Sequence, residues 1–207
     1  MPSTVFHAAL GGLIAAALIR ERFDRRVLGV VLVAVLVPEI DVFVGLWIRG
    51  AHRAYFNNVF VPLAFAGLVH YDTAIRSRSW LRGRWGPDAG RLAWVGVVVL
   101  TVAGIGPDLF TNGVNLFFPV VDQFYGLSGK VLLSTQRGLV QTVVDLESAK
   151  GTTATQQYWT GVDPDPGTKG TESASVERVF PIAGSGLQLL VILTSVLVVG
   201  FRLWADE

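Results

Sequence analysis

Val27-Leu28-Gly29-Val30-Val31-Leu32-Val33-Ala34-Val35-Leu36-Val37, followed at once by Pro38-Glu39-Ile40-Asp41, is the stretch on which the fold turns. Eleven consecutive residues carry no polar side chain, and apolar character then continues to Ile48. Leu92–Ile105 and Leu187–Phe201 are nearly as free of polar groups. A transmembrane helix needs about 20 predominantly apolar residues to cross the hydrocarbon, and these stretches approach that length. The expectation is an all-α membrane protein.

Composition agrees. Of 207 residues, 51% are hydrophobic and only 16% charged, where soluble domains carry about 25% charged residues. Mean hydropathy is +0.50. The chain has no cysteine, which excludes disulfides and thiolate metal sites. A net charge of +1 gives no reason to expect a nucleic-acid partner; the partner implied is the lipid bilayer. No basic segment precedes the first apolar run and no cleavage site comes after it, so that run reads as a retained helix and not a signal peptide.

About five spans are expected, near 4–19, 27–48, 57–74, 92–110 and 180–201. Arg20-Glu21-Arg22-Phe23-Asp24-Arg25-Arg26 joins the first two, and the third connection carries Arg76, Arg78, Arg82, Arg84 and Arg91. Short arginine-rich loops stay in the cytoplasm. Two such loops agree only if the N-terminus lies outside and the C-terminus, beyond Arg202, inside. Residues 1–119 would form a four-helix membrane core and 180–207 a last transmembrane helix. Residues 120–179 would form a small β-containing extracytoplasmic cap. Within it, 130–144 reads as a hairpin turning at Gln136-Arg137-Gly138, and 175–180 as one more strand. Residues 151–174, rich in Gly, Thr, Ser, Asp and Pro, read as an exposed, mobile loop. Trp47, Trp80, Trp85, Trp94 and Trp204 near span ends suit an aromatic belt.

Ionisable residues within spans are costly and call for a reason. Counting from the cytoplasmic arginines, His7, Glu39, Asp41 and Asp108 all lie roughly 20–25 Å above the inner boundary. His52 and Arg53 fall in the short outer connection at the same level. Imidazole and carboxylate together make a ligand set for zinc, manganese or iron. Pro38 and Gly106-Pro107 break helices next to these groups, as a polar cavity would tolerate. Residues at i and i+2 do not share a helical face, so Glu39 and Asp41 both point inward only if the helix ends near Pro38. The plainer reading is that these groups mark the interface or pair as Asp41–Arg53 and Glu39–Arg49. His70, six residues from Arg76, reads as an interface residue.

The order of these residues resembles a known family. His7, Pro38-Glu39-Ile40-Asp41, His52-Arg53-Ala54-Tyr55-Phe56-Asn57-Asn58 and Asp108-Leu109-Phe110-Thr111-Asn112-Gly113 resemble the YdjM-like membrane-bound, metal-dependent hydrolases over about residues 1–125. That family's pattern is a helix-one His, a Pro-Asp-Ile-Asp, a His-Arg-Gly-x-Thr-His-Ser, and a His-x-x-x-Asp ahead of a Thr-x-Gly and an aromatic-Pro. Gly113-Val114-Asn115-Leu116-Phe117-Phe118-Pro119 fits the tail, and the rest is similar to an archaeal-type extension of the group. The chain departs from this pattern where ligands are concerned: Asn57 and Gly104 stand where the family has His, and Glu39 replaces an Asp.

The resemblance implies a hydrolase acting on a lipid or phosphoester at the outer face. A divalent metal, zinc or manganese, would be held by His7, Glu39, Asp41, His52 and Asp108. Arg53 would stabilise an anionic oxygen, while Asn57 and Asn112 orient substrate or water. The two missing imidazoles favour the alternative, a catalytically inactive relative with a structural or partner-binding role. A transporter is less well supported, because the spans show no repeat.

Overall fold

A computed structural model describes residues 2–19, 23–127, 129–142, 150–167 and 175–206. It is mostly helical, with one two-stranded sheet. Three helices are long and apolar enough to cross a membrane. These are α2 (Arg25–Gly45), the continuous segment Ala89–Leu109, and α7 (Gly186–Ala205). Two shorter apolar helices accompany them: α1 (Thr4–Leu18) and α3 (Phe60–His70), the latter extended by a π-helical turn, Tyr71–Ile75. A six-residue α4 (Trp80–Trp85) precedes α5 (Ala89–Val99).

Local chemistry sets the helix starts. Ser3 accepts from the Phe6 N–H, Asp24 from Arg26 and Val27, and Ser185 from Gln188, so each satisfies donors that a first turn leaves open. Ser185 places the start of the last helix beyond the expected residue 180. Pro38 does not end α2, which continues to Gly45. The irregularity lies opposite, where α5 passes into a π-helical turn, Leu100–Ile105, before α6 (Gly106–Leu109). The extra residue per turn there re-aims the chain beyond it, including Asp108.

The core is made by α1, α2 and α5. Ala15, Ala16, Val27, Val31, Val35, Val99 and Ala103 interlock with Phe23 beneath them. Small residues permit the close approach: a Cβ on Gly11 would meet Val99 Cγ1 at 2.9 Å, and one on Gly12 would meet Val199 of α7 at 3.1 Å. Outward, the helices are apolar. Only 11% of the most hydrophobic window of α7 is buried, and Leu187, Leu190, Leu193, Leu197 and Phe201 all face out. Water does not tolerate an apolar surface of that extent, whereas a bilayer requires it.

The bundle has two unlike ends. At one, Arg202 donates to the Ala16 and Ile19 carbonyls and Arg91 to that of Leu18. At the other, the starts of α1 and α7 meet, with Ser3 donating to Ile182, and irregular chain gathers. There Val114 bridges Tyr125, Asn115 donates to Asp122, and Thr153 donates to Asp122 through both N–H and hydroxyl. The expected hairpin forms as β1 (Val131–Ser134) and β2 (Gly138–Gln141), antiparallel, with Gly138 at φ +68° closing the turn. Its expected extension to Val144 lies outside the described residues, as do 168–174. Residues 175–180 are irregular. Segment 150–167 packs back on the bundle: Arg49 donates to Gly167, and Tyr158 to Asn112.

Candidate functional site

The end where α1 begins and α2 stops collects the polar residues singled out from the sequence. His7 sits in the first turns of α1 and is buried. Asp41, near the end of α2, is fully buried, while Glu39 two residues earlier keeps 26% of its side chain exposed beside His7. The two carboxylates leave α2 in different directions, as i and i+2 must. Asp108 comes from α6, and the turn between α2 and α3 brings His52, Arg53 and Asn57, all buried. Asn112 lies at the rim, where its carbonyl accepts from Tyr158 at 3.0 Å. His70 is exposed at the far end of α3.

Each imidazole is pinned through one nitrogen. His7 Nδ1 lies 2.6 Å from the Ala103 carbonyl, and His52 Nδ1 lies 2.8 Å from Asp41 Oδ1. The Ala103 carbonyl only accepts, so His7 Nδ1 carries a proton, and an ionised Asp41 places one on His52 Nδ1 in the same way. The other nitrogens, His7 Nε2 and His52 Nε2, are buried without a hydrogen-bond partner. The nearest acids to His7 Nε2 are Asp108 Oδ1 at 3.7 Å and Glu39 Oε1 at 3.9 Å, too far for hydrogen bonds.

The aspartates are occupied. Asp41 Oδ2 accepts the Arg53 backbone N–H at 2.7 Å, leaving neither oxygen idle. Asp108 Oδ1 accepts from Arg53 Nη2 at 2.6 Å and Oδ2 from Asn57 Nδ2 at 3.0 Å. The pairing Asp41–Arg53 is therefore a backbone contact; the guanidinium belongs to Asp108, and Arg49 turns to Gly167. Asn57 Oδ1 and Arg53 Nε are buried without partners. Gly104 packs closely on Pro38: a Cβ there would meet Pro38 Cγ at 3.1 Å, so a side chain requires the proline to shift by a few tenths of an ångström.

No family model matches the chain, and no curated protein or solved structure does either. The chemistry must therefore be read from the residues themselves. The cluster holds three carboxyl groups and one guanidinium, and that guanidinium pairs with Asp108 alone. Burying uncompensated charge is costly. Among the described residues no three His, Asp or Glu groups are drawn together as a ligand shell. The donor chemistry nonetheless fits a divalent cation. Two ligands of a tetrahedral ion lie about 3.4 Å apart, so the separations around His7 Nε2 need to close by only a few tenths of an ångström. An imidazole fixed by a carboxylate on its far nitrogen, as His52 is by Asp41, is the usual support of a metal-binding histidine.

Tyr158 joins the site from outside the predicted set. It comes from the segment expected to be a mobile loop, yet its ring lies 4.9 Å from the Arg53 guanidinium and edge-on to His52 at 6.1 Å. Burial pushes its phenol above the ordinary value, with Asp108 raising it further against the lowering effect of Arg53, so it remains a donor to Asn112. The only signal in the sequence is Tyr158-Trp159, an aromatic pair in an otherwise polar stretch.

Proposed function

We propose that this chain is a five-span membrane protein of YdjM-like type, a metal-dependent hydrolase of lipid or other phosphoesters. Its polar end and the segment 120–179 face outside, and its arginine-rich end faces the cytoplasm, in line with the distribution of Arg residues. The observation that carries the reading is the pair of buried, partnerless Nε2 atoms on His7 and His52, each with its Nδ1–H already engaged.

His7, His52, Glu39 and Asp108 would hold the ion, and Asp41 would orient His52. A divalent ion there would supply Lewis acidity and an activated water for attack on the ester. Arg53 compensates Asp108 and presents a guanidinium suited to a phosphoryl oxygen. The unpartnered Asn57 Oδ1 is an acceptor for a water proton. Tyr158 and its segment shield these groups from bulk water, which strengthens every interaction among them.

The experiment is elemental analysis of the detergent-purified protein, with hydrolysis assayed on a phospholipid and a chromogenic phosphoester. One equivalent or more of a transition metal is expected, lost in His7→Ala and His52→Ala together with any turnover. Metal content equal in the wild type and both variants would sink the reading. A second reading, a non-catalytic structural or partner-binding protein, is favoured by the occupied oxygens of Asp41 and Asp108. It predicts a melting temperature indifferent to chelator.

A further inference from the structure

Toward the arginine-rich end, α2, α3 and α5 line an apolar groove of about 480 Å³. Gly29, Val33 and Val37 line one wall, Phe65 a second, and Gly96 and Leu100 the third. From Arg26 to Val37 the groove runs along α2 for eleven residues, about 16 Å of helix. One leaflet contributes about 15 Å of hydrocarbon. The groove thus has the depth of a single leaflet and stops short of the site.

Its lower end opens into a wider cleft of about 830 Å³ that shares Arg26, Leu81 and Trp85 with it and adds Arg84 and Arg91. Three guanidinium groups gather there with two carboxylates. One of these, Asp24, is committed to capping α2, and the other is Asp88. The side chains of Arg26 and Arg84 are exposed, and Trp80 stacks edge-on against Trp85 at 5.0 Å, as aromatic residues do at headgroup level. An apolar shaft of leaflet depth that ends beside the exposed Arg26 and Arg84 matches one ligand class. Gly29 helps to keep the shaft open, since nothing lies within 4 Å of where its Cβ would stand.

We propose that this groove is a binding site for one anionic phospholipid of the leaflet at the arginine-rich end, its acyl chain along Gly29–Val37 and its phosphate on Arg26 and Arg84. The inference rests on membrane insertion and stands apart from the hydrolase reading, because none of these residues belongs to the polar cluster. Basic pockets between transmembrane helices bind acidic headgroups in this manner, and juxtamembrane arginines add to the attraction.

The test uses the full chain in a mild non-ionic detergent, titrated with phosphatidylglycerol or phosphatidylcholine and read by native mass spectrometry and thermal shift. One phosphatidylglycerol should bind at least tenfold more tightly than phosphatidylcholine. Arg26→Gln/Arg84→Gln should lose that preference by roughly tenfold. Gly29→Phe, which leaves the arginines in place, should weaken both lipids by blocking the shaft. If the arginine variant does not fold, wild type in about 1 M NaCl reads the same headgroup contribution, since charges are then screened beyond about 3 Å. Equal binding of the two lipids would overturn the proposal, as would a preference unchanged in the arginine variant or binding undiminished in Gly29→Phe. A thermal shift reproduced by inorganic phosphate alone would also overturn it, by assigning a free-anion site.

Discussion

At Arg53 the backbone turns left-handed, with φ at 66°, and a long charged side chain is buried to 1% exposure. Both features are unfavourable taken singly: the left-handed conformation costs roughly 1–2 kcal/mol in a non-glycine residue, and burial strips a cation of water. They persist because the turn delivers the guanidinium to Asp108 and the backbone N–H to Asp41. Arg53→Met should therefore destabilise the protein by about 3–5 kcal/mol, because it leaves Asp108 buried and uncompensated. Arg53→Lys, which keeps the charge without the fork, should fall between. Thermal unfolding in detergent measures both, and a methionine variant as stable as wild type would show that the pair is dispensable. Gly50 carries a second constraint. Its φ is +71°, and a Cβ there would collide with the Thr153 carbonyl. Gly50→Ala should cost a few kcal/mol and lift the segment carrying Tyr158, seen as increased hydrogen exchange at 150–158 with the helices unchanged.

The element whose behaviour departs most from its composition is segment 150–167. Gly, Thr, Asp and Pro gave it the look of free loop, but hydrogen bonds to distant partners fix it. The Lys150 N–H donates to the Phe124 carbonyl, the Phe124 N–H donates to Gly151, and Thr153 holds Asp122. Such contacts join residues about 30 apart and leave no local pattern to read. Partial burial pushes the Asp122 carboxyl up, but the Thr153 hydroxyl and N–H and the Asn115 amide outweigh it and hold it below the usual carboxylate range. A folded pKa below the unfolded one means stability that is present above about pH 3.9 and lost as pH falls through the folded value. Protection of 150–158 against hydrogen exchange, corrected for the intrinsic rate, should hold down to about pH 4 and then decline. Asp122→Asn should show the weakened protection already at neutral pH. Equal protection in the variant would mean that Asp122 does not hold the segment. The helices were more legible than the loop because apolar runs are local signals, while their exact starts were set by the caps Ser3, Asp24 and Ser185. The exception is Pro38: a proline usually breaks a helix, yet α2 runs on, and the deviation appears instead as a π-turn before Asp108.

For the molecule as a whole, orientation in the membrane is the property that tests the arginine distribution directly. The chain has no cysteine, so single-cysteine reporters stand on a clean background. Ala154 and Ser77 are both exposed, the first beside the polar end and the second near the arginine-rich end, so Ala154→Cys and Ser77→Cys report on opposite faces. An impermeant maleimide applied to intact cells should label the Ala154→Cys variant and spare the Ser77→Cys variant until the membrane is opened. The reverse pattern would invert the topology and move the polar cluster to the cytoplasmic side.

The apolar helices, the hairpin and the gathering of His7, Glu39, Asp41, His52 and Asp108 were legible along the chain. Each comes from period, length and distance along a helix, which are properties of neighbouring residues. How those groups are spent came from the packed bundle. It turned Asp41 to His52, gave the guanidinium of Arg53 to Asp108, closed Gly104 against Pro38 and brought Tyr158 over the cluster. A side chain's partner depends on where remote backbone comes to rest, and that is fixed by packing across the whole bundle, not by any spacing along the chain.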